Sequence, residues 1–164
     1  MKPAHCAQLV LALSLAVPAV ALSQADPKKP TGTEPATHAV VLSNAVAFQP
    51  FEIPGFPSGV KLAVLHGDPN AESGDYTVRL AFPDGYKFPA HWHPLGEHVT
   101  VLEGTLMLGM GDTPDDAKLQ SFPVGTFAYI PGKMSHFGGA KGATVIQLHG
   151  TAPFKIELSK PAGQ

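Results

Sequence analysis

Gly and Pro, 17 of each in 164 residues, are spread along the body of the chain and leave almost no uninterrupted stretch long enough for a helix. Proline cannot continue a helix and glycine weakens one, so what survives between them is a series of short apolar runs. These runs fall at 39–43, 61–66, 76–82, 97–102, 105–109, 118–122, 126–130, 143–149 and 154–158. Short strands at such even spacing, separated by Gly, Pro and Asp turns, predict an all-β sandwich or barrel. "EGT" at 103–105 reads as a tight hairpin turn, and "GDTPDDA" at 111–117 as a longer polar loop. A helical alternative around 43–47 is confined to a turn or two by Pro50, Pro54 and Pro57.

The hydrophobic share of 44% against 15% charged residues suits one compact domain, and the length is too short for two ordinary ones. Before that domain, Lys2 and His5 precede a run over 9–22 that is apolar apart from Ser14, with Pro18 near its end. This is a secretory signal pattern, with cleavage expected before Gln24 or Asp26 and an export destination in the periplasm or outside the cell. The run is short of the roughly 20 apolar residues that span a bilayer. The only cysteine, Cys6, would leave with it, so the mature chain would have no disulfide. Residues 1–23 are therefore expected to be a signal peptide, 24–37 a polar, Pro-rich linker, and 38–160 a single β-barrel domain. Loss of Lys2 leaves ten basic residues against thirteen acidic ones. That balance offers no basic face for nucleic acid, and no amphipathic basic stretch suits a membrane surface.

The chemistry-bearing groups concentrate in "GYKFPAHWHPLGEHVTVLEG", residues 85–104. On a strand, positions i and i+2 share a face, so His91 and His93 point one way and Trp92 the other. The bend Pro94–Leu95–Gly96 lets Glu97 return to the same space, whereas His98 must point away. A fourth group is available from "GTFAYIPGKMSH", residues 125–136, where Pro131–Gly132 closes a strand just before His136. Three imidazoles and one carboxylate suit a borderline divalent ion such as Mn, Fe, Co, Ni, Cu or Zn. Four protein ligands of an octahedron leave two positions for water, substrate or dioxygen.

In these two stretches the chain resembles the cupin superfamily of small β-barrels. The first family motif is Gly, five residues, His-x-His, three or four residues, Glu, six residues, Gly, and Gly85, His91, His93, Glu97 and Gly104 fit it throughout. The second is Gly, five residues, Pro-x-Gly, two residues, His, three residues, Asn. Gly125, Pro131 and His136 match it, while Lys133 replaces the second Gly and Ala140 the Asn. Lys133 therefore falls where a positive φ and a glycine are usual. The resemblance implies a double-stranded β-helix, jelly-roll-like, with a metal held by His91, His93, Glu97 and His136.

Other residues are weaker candidates. Gln147 and His149 share one face of the run 143–149 and become substrate contacts if that face lines the barrel. Phe127 and Tyr129, with Tyr86, Phe88, Trp92 and Met107, supply the apolar surface of a core or pocket. Lys133 is either a solvated lysine or, at a barrel mouth, a partner for an anionic substrate. His66 reads as a structural histidine.

Cupins include dioxygenases, decarboxylases, lyases, isomerases and binding modules, so the fold does not fix the activity. The expected function is an exported metal-dependent enzyme acting on a small organic acid or phenolic compound. Dioxygenase-type cleavage is preferred, Glu97 serves as a catalytic base, and a lyase, decarboxylase or isomerase is the nearest variant. The alternative is a non-catalytic cupin that binds or senses a sugar or carboxylate. A homodimer covering the edge strands is expected.

Overall fold

The computed structural model describes residues 38–160; the signal-type segment 1–23 and the linker 24–37 lie outside the described residues. Nine strands form one antiparallel sheet that curls on itself: β1 (Gln49–Pro50), β2 (Lys61–His66), β3 (Asp75–Phe82), β4 (Lys87–Trp92), β5 (Glu97–Met110), β6 (Gln120–Pro123), β7 (Phe127–Ile130), β8 (His136–Thr151) and β9 (Glu157–Leu158). Two single turns of 3-10 helix, Ser43–Ala45 and Asp116–Lys118, are the only helical elements among the described residues. No helix there is long and apolar enough to cross a membrane.

β8 organises the sheet. Its second half pairs with β3, from Thr144↔Phe82 to Thr151↔Asp75, and its first half pairs with β4 at His136↔His91, Gly138↔Phe88 and Gly139↔Lys87. Along nearly its whole length it also pairs with β5. Alternation then sorts the side chains: Tyr76, Val78, Leu80 and Phe82 of β3 and Ile146 and Leu148 of β8 are buried. Thr77, Arg79, Gln147 and His149 take the other parity and face outward. Each large aliphatic side chain so buried contributes about 1.5–3 kcal/mol relative to exposure, and this single core carries the stability of a disulfide-free domain.

The expected hairpin at 103–105 is instead a bend within β5. Both halves of the strand pair with β8: Glu97–Glu103 against residues 145–150, and Thr105–Met110 against residues 136–141, with register shifts around Glu103. Across the bend the buried positions change from Val99 and Val101 to Leu106 and Leu108, from odd to even. An inserted residue does this, because a one-residue slip exchanges the faces of a strand and a bulge restores the buried one. Gly104 makes the bend possible with φ +67, and a Cβ there would lie 2.3 Å from the Ala143 carbonyl oxygen. The fully buried Thr144 hydroxyl accepts from the Thr105 N–H at 3.2 Å and donates to the Gly142 carbonyl at 3.0 Å, fastening the two strands at this point.

Two further expectations are corrected. Residues 39–42 are not a strand and lead into the Ser43–Ala45 turn, and the run expected at 154–158 is a strand only over Glu157–Leu158. Phe154 is thereby freed from the sheet, with its N–H donating to the Pro69 carbonyl at 2.7 Å.

Candidate metal centre

His91 lies in β4, His93 just beyond it, Glu97 at the start of β5 and His136 at the start of β8, and all four are buried. The pairing His91↔His136 sets the first and last of these side by side. A register irregularity in β4 between Phe88 and His91 lets residues three apart face the same cavity. The turn after β7 is tied to this corner, with the Lys133 N–H donating to the His93 carbonyl at 2.7 Å. Gly132 packs so closely that a Cβ would sit 2.6 Å from the Pro94 carbonyl oxygen. Lys133 itself takes φ +65, the left-handed backbone that its position in the motif implies, and its side chain is exposed.

The imidazoles are oriented by main chain. Nδ1 of His91 donates to the Pro89 carbonyl at 2.9 Å, Nδ1 of His93 to the Lys155 carbonyl at 2.7 Å, and Nδ1 of His136 to the Met134 carbonyl at 3.1 Å. A carbonyl oxygen only accepts, so each Nδ1 carries the proton and each neutral ring presents a lone pair at Nε2. The ligand atoms of the three rings lie within 4.8 Å of one another. Oε1 of Glu97 is 3.3 Å from His93 Nε2 and 3.6 Å from His136 Nε2. An ionised carboxylate against two lone pairs is repulsive unless a proton or a cation stands between them. Three imidazole donors gathered in this way, with a carboxylate beside two of them, fit a divalent transition ion, whose neighbouring ligands lie about 3 Å apart when bonds are about 2.1 Å.

Burial shifts all four groups away from charge. His91 is lowered to about 3 by desolvation, with the neighbouring His136 and His93 adding to it against the Pro89 hydrogen bond. His93 is lowered to about 4 by desolvation and His136, and His136 is lowered by its own burial. Desolvation raises Glu97 to about 7. The histidines are thus ready to ligate at neutral pH, and Glu97 can hold or release a proton there.

These four groups sit in a cavity of about 50 Å³ whose other lining residues are all apolar, among them Leu80, Phe88, Leu106 and Leu148 from the strands. Ile53, Phe56, Phe154 and Ile156, from segments outside the strands, complete it. The Phe56 ring meets His91 edge-on at 5.0 Å between centroids, and the Phe154 ring stacks on His93 at 5.3 Å and 12°. Sequence reasoning missed these four, since none lies in a motif and the fold alone brings the two segments together.

The candidate substrate contacts are placed elsewhere. Gln147 and His149 point outward because Ile146 and Leu148 hold the inward parity of β8; Gln147 accepts from Arg79 Nε at 3.2 Å, and His149 Nδ1 pairs with Thr77 Oγ1 at 3.1 Å. Phe127 and Tyr129 are 61% and 55% exposed on the same outer face. His98, which parity turns away from the centre, lies among them, 5.0 Å from the Tyr129 ring and 6.0 Å from that of His149. Lys133 does not line the cavity.

A curled antiparallel sheet with converging histidines inside is the frame of a cupin barrel. Residues 36–155 match the model of the ChrR cupin-like domain, and the chain belongs to this family. Solved structures show the same fold. A putative acetylacetone dioxygenase from Methylibium petroleiphilum PM1 aligns with TM-score 0.59 and 20% identity over 78% of this chain and 85% of that one. The polyketide cyclase RemF from Streptomyces resistomycificus aligns with TM-score 0.58 and 18% identity over 77% and 89%. An RmlC-like cupin from Shewanella frigidimarina NCIMB 400 aligns with TM-score 0.53 and 15% identity over 70% and 91%. Comparison with curated proteins found no match.

Proposed function

We propose that the protein is a metal-dependent cupin enzyme acting on a small organic acid or phenol, with dioxygenase-type cleavage as the preferred reaction. The observation that carries this reading is the convergence of the ligand atoms of His91, His93 and His136, each ring fixed by a main-chain carbonyl, with the Glu97 carboxylate beside His93 and His136. His91, His93, Glu97 and His136 would hold the ion. When bound, it supplies Lewis acidity and, if redox-active, electron transfer. Released from the ion, Glu97 would be placed to take a proton beside the bound substrate, and the apolar walls exclude water from it. A lyase, decarboxylase or isomerase would use the same groups. The neighbours named as dioxygenase and cyclase share the fold at 20% identity or less, so the choice of reaction rests on the site.

The test joins elemental analysis with turnover. Wild type is expected to carry stoichiometric metal that His91→Ala lacks, and oxygen uptake is expected on some member of a panel of small acids and phenols with the iron-, manganese-, nickel- or copper-loaded protein. Equal trace metal in both proteins would remove the basis of the proposal. Metal binding with no oxygen consumed would remove the dioxygenase.

A second reading is a non-catalytic module that binds or senses a sugar or carboxylate through the metal, which the same three histidines and Glu97 would support. Ligand-induced change at the metal without any product would select it.

Export and pairing of copies belong to the same proposal. The pattern over residues 2–25 supports export, and mass spectrometry of the mature N-terminus from an exporting host tests it. The exposed Phe127 and Tyr129 support a homodimer, and light scattering tests that.

A further inference from the structure

We infer that the cavity admits compact, largely apolar molecules that present one oxygen-bearing head to His91, His93, Glu97 and His136, and that Phe56 and Phe154 set their upper size. This rests on the reading of those four residues as a metal centre and narrows its substrates.

The polarity of the cavity lies entirely at the centre. Among its lining residues there is no lysine, arginine, serine, threonine, asparagine or glutamine, and every one besides the three histidines and Glu97 is aliphatic or phenylalanine. One head group is satisfied there; a second polar group on the ligand gives up its water and gains no partner. Each such hydroxyl costs about tenfold or more in affinity, and a second carboxylate costs more because no cation faces it. Sugars and dicarboxylates are excluded on this ground. Size works in the same direction, since about 50 Å³ holds only a few water-sized groups.

Phe56 and Phe154 are the wall residues best placed to set that limit. Their rings lie directly against His91 and His93, yet both come from segments outside the strands, where truncation leaves the sheet pairing intact. Backbone hydrogen bonds hold both, Phe56 N–H to the Ile53 carbonyl at 3.0 Å and Phe154 N–H to the Pro69 carbonyl at 2.7 Å, so alanine substitution removes ring volume while keeping the anchor.

The experiment uses the Co²⁺-loaded protein, whose visible absorption reports ligands entering the metal's surroundings. Butyrate is expected to perturb the spectrum at concentrations at least tenfold lower than succinate, 2,3-dihydroxybutyrate or glucose. Benzoate is expected to bind poorly to wild type and at least fivefold better to Phe56→Ala or Phe154→Ala, whose Co²⁺ spectra in the absence of ligand certify the intact centre. Succinate or 2,3-dihydroxybutyrate binding as tightly as butyrate would overturn the selectivity, and unchanged benzoate affinity in both variants would overturn the size limit. If no Co²⁺ band depends on His91, the metal reading itself fails and this inference falls with it; a His91-dependent band with polar ligands preferred defeats this inference alone.

Discussion

Glu97 is held against the Nε2 atoms of His93 and His136 at 3.3 and 3.6 Å, and without a cation only a shared proton relieves the contact. Glu97→Gln supplies an amide N–H that donates to one of those lone pairs. The metal-free variant is therefore expected to be more stable than metal-free wild type by about 1 kcal/mol, while metal affinity falls tenfold or more. Chemical denaturation with chelator and a competitive metal titration check the two halves, and a less stable metal-free variant would sink the argument. Lys133 gives a second test at this scale. Its φ of +65 costs an L-residue about 1–2 kcal/mol, part of which glycine returns through greater freedom in the unfolded chain. Lys133→Gly is expected to stabilise by about 0.5–1 kcal/mol with metal stoichiometry unchanged. These residues were legible in the sequence because fixed spacing marks them: two histidines at i and i+2, a carboxylate after a Pro-Gly bend, and a histidine after a Pro-Gly turn.

Strands were less legible than ligands. The runs 97–102 and 105–109 have the composition of two strands around a turn, and local sequence does not distinguish a glycine that reverses the chain from one that bends it. Pairing of both halves with β8 decides the matter, and that partner is some forty residues away. Gly104→Ala then tests the bend: strain at φ +67 costs about 1–3 kcal/mol, and the Cβ placed 2.3 Å from the Ala143 carbonyl adds to it. A urea midpoint equal to wild type would mean the bend tolerates a side chain. The faces of β8 follow from the same pairing. Alternation groups Gln147 with His149 from sequence alone, but which parity faces the core depends on Ile146 and Leu148 packing against β3 and β5.

Across the whole molecule, the buried histidines make stability depend on pH. The unfolded chain takes up protons on His91, His93 and His136 below about 6.5, whereas the folded chain, with His91 near 3 and His93 near 4, resists them. Their contribution is complete above the unfolded value and is lost as pH falls. Glu97 acts oppositely: its folded value near 7 favours the native state below the unfolded value of 4.5, and that contribution is lost as pH rises through 7. Between about 6.5 and 4.5 three groups oppose one, so the chelated protein is expected to lose stability on acidification, on the order of 1–3 kcal/mol per pH unit. Urea denaturation at pH 7 and 5.5 in chelator measures this, and a midpoint that holds or rises would refute it. The cavity belongs to this scale too, since Phe56 and Phe154 meet only when two distant segments converge on the folded sheet. The three hydrogen bonds that orient the imidazoles end on the carbonyls of Pro89, Lys155 and Met134. Because every amino acid carries that oxygen, no point mutation deletes an anchor chemically. The aim of the rings is thus insulated from side-chain drift at those three positions, and wall residues outside the strands, such as Ile53 or Phe56, can be varied in a search for new specificities without removing the oxygens that hold the centre.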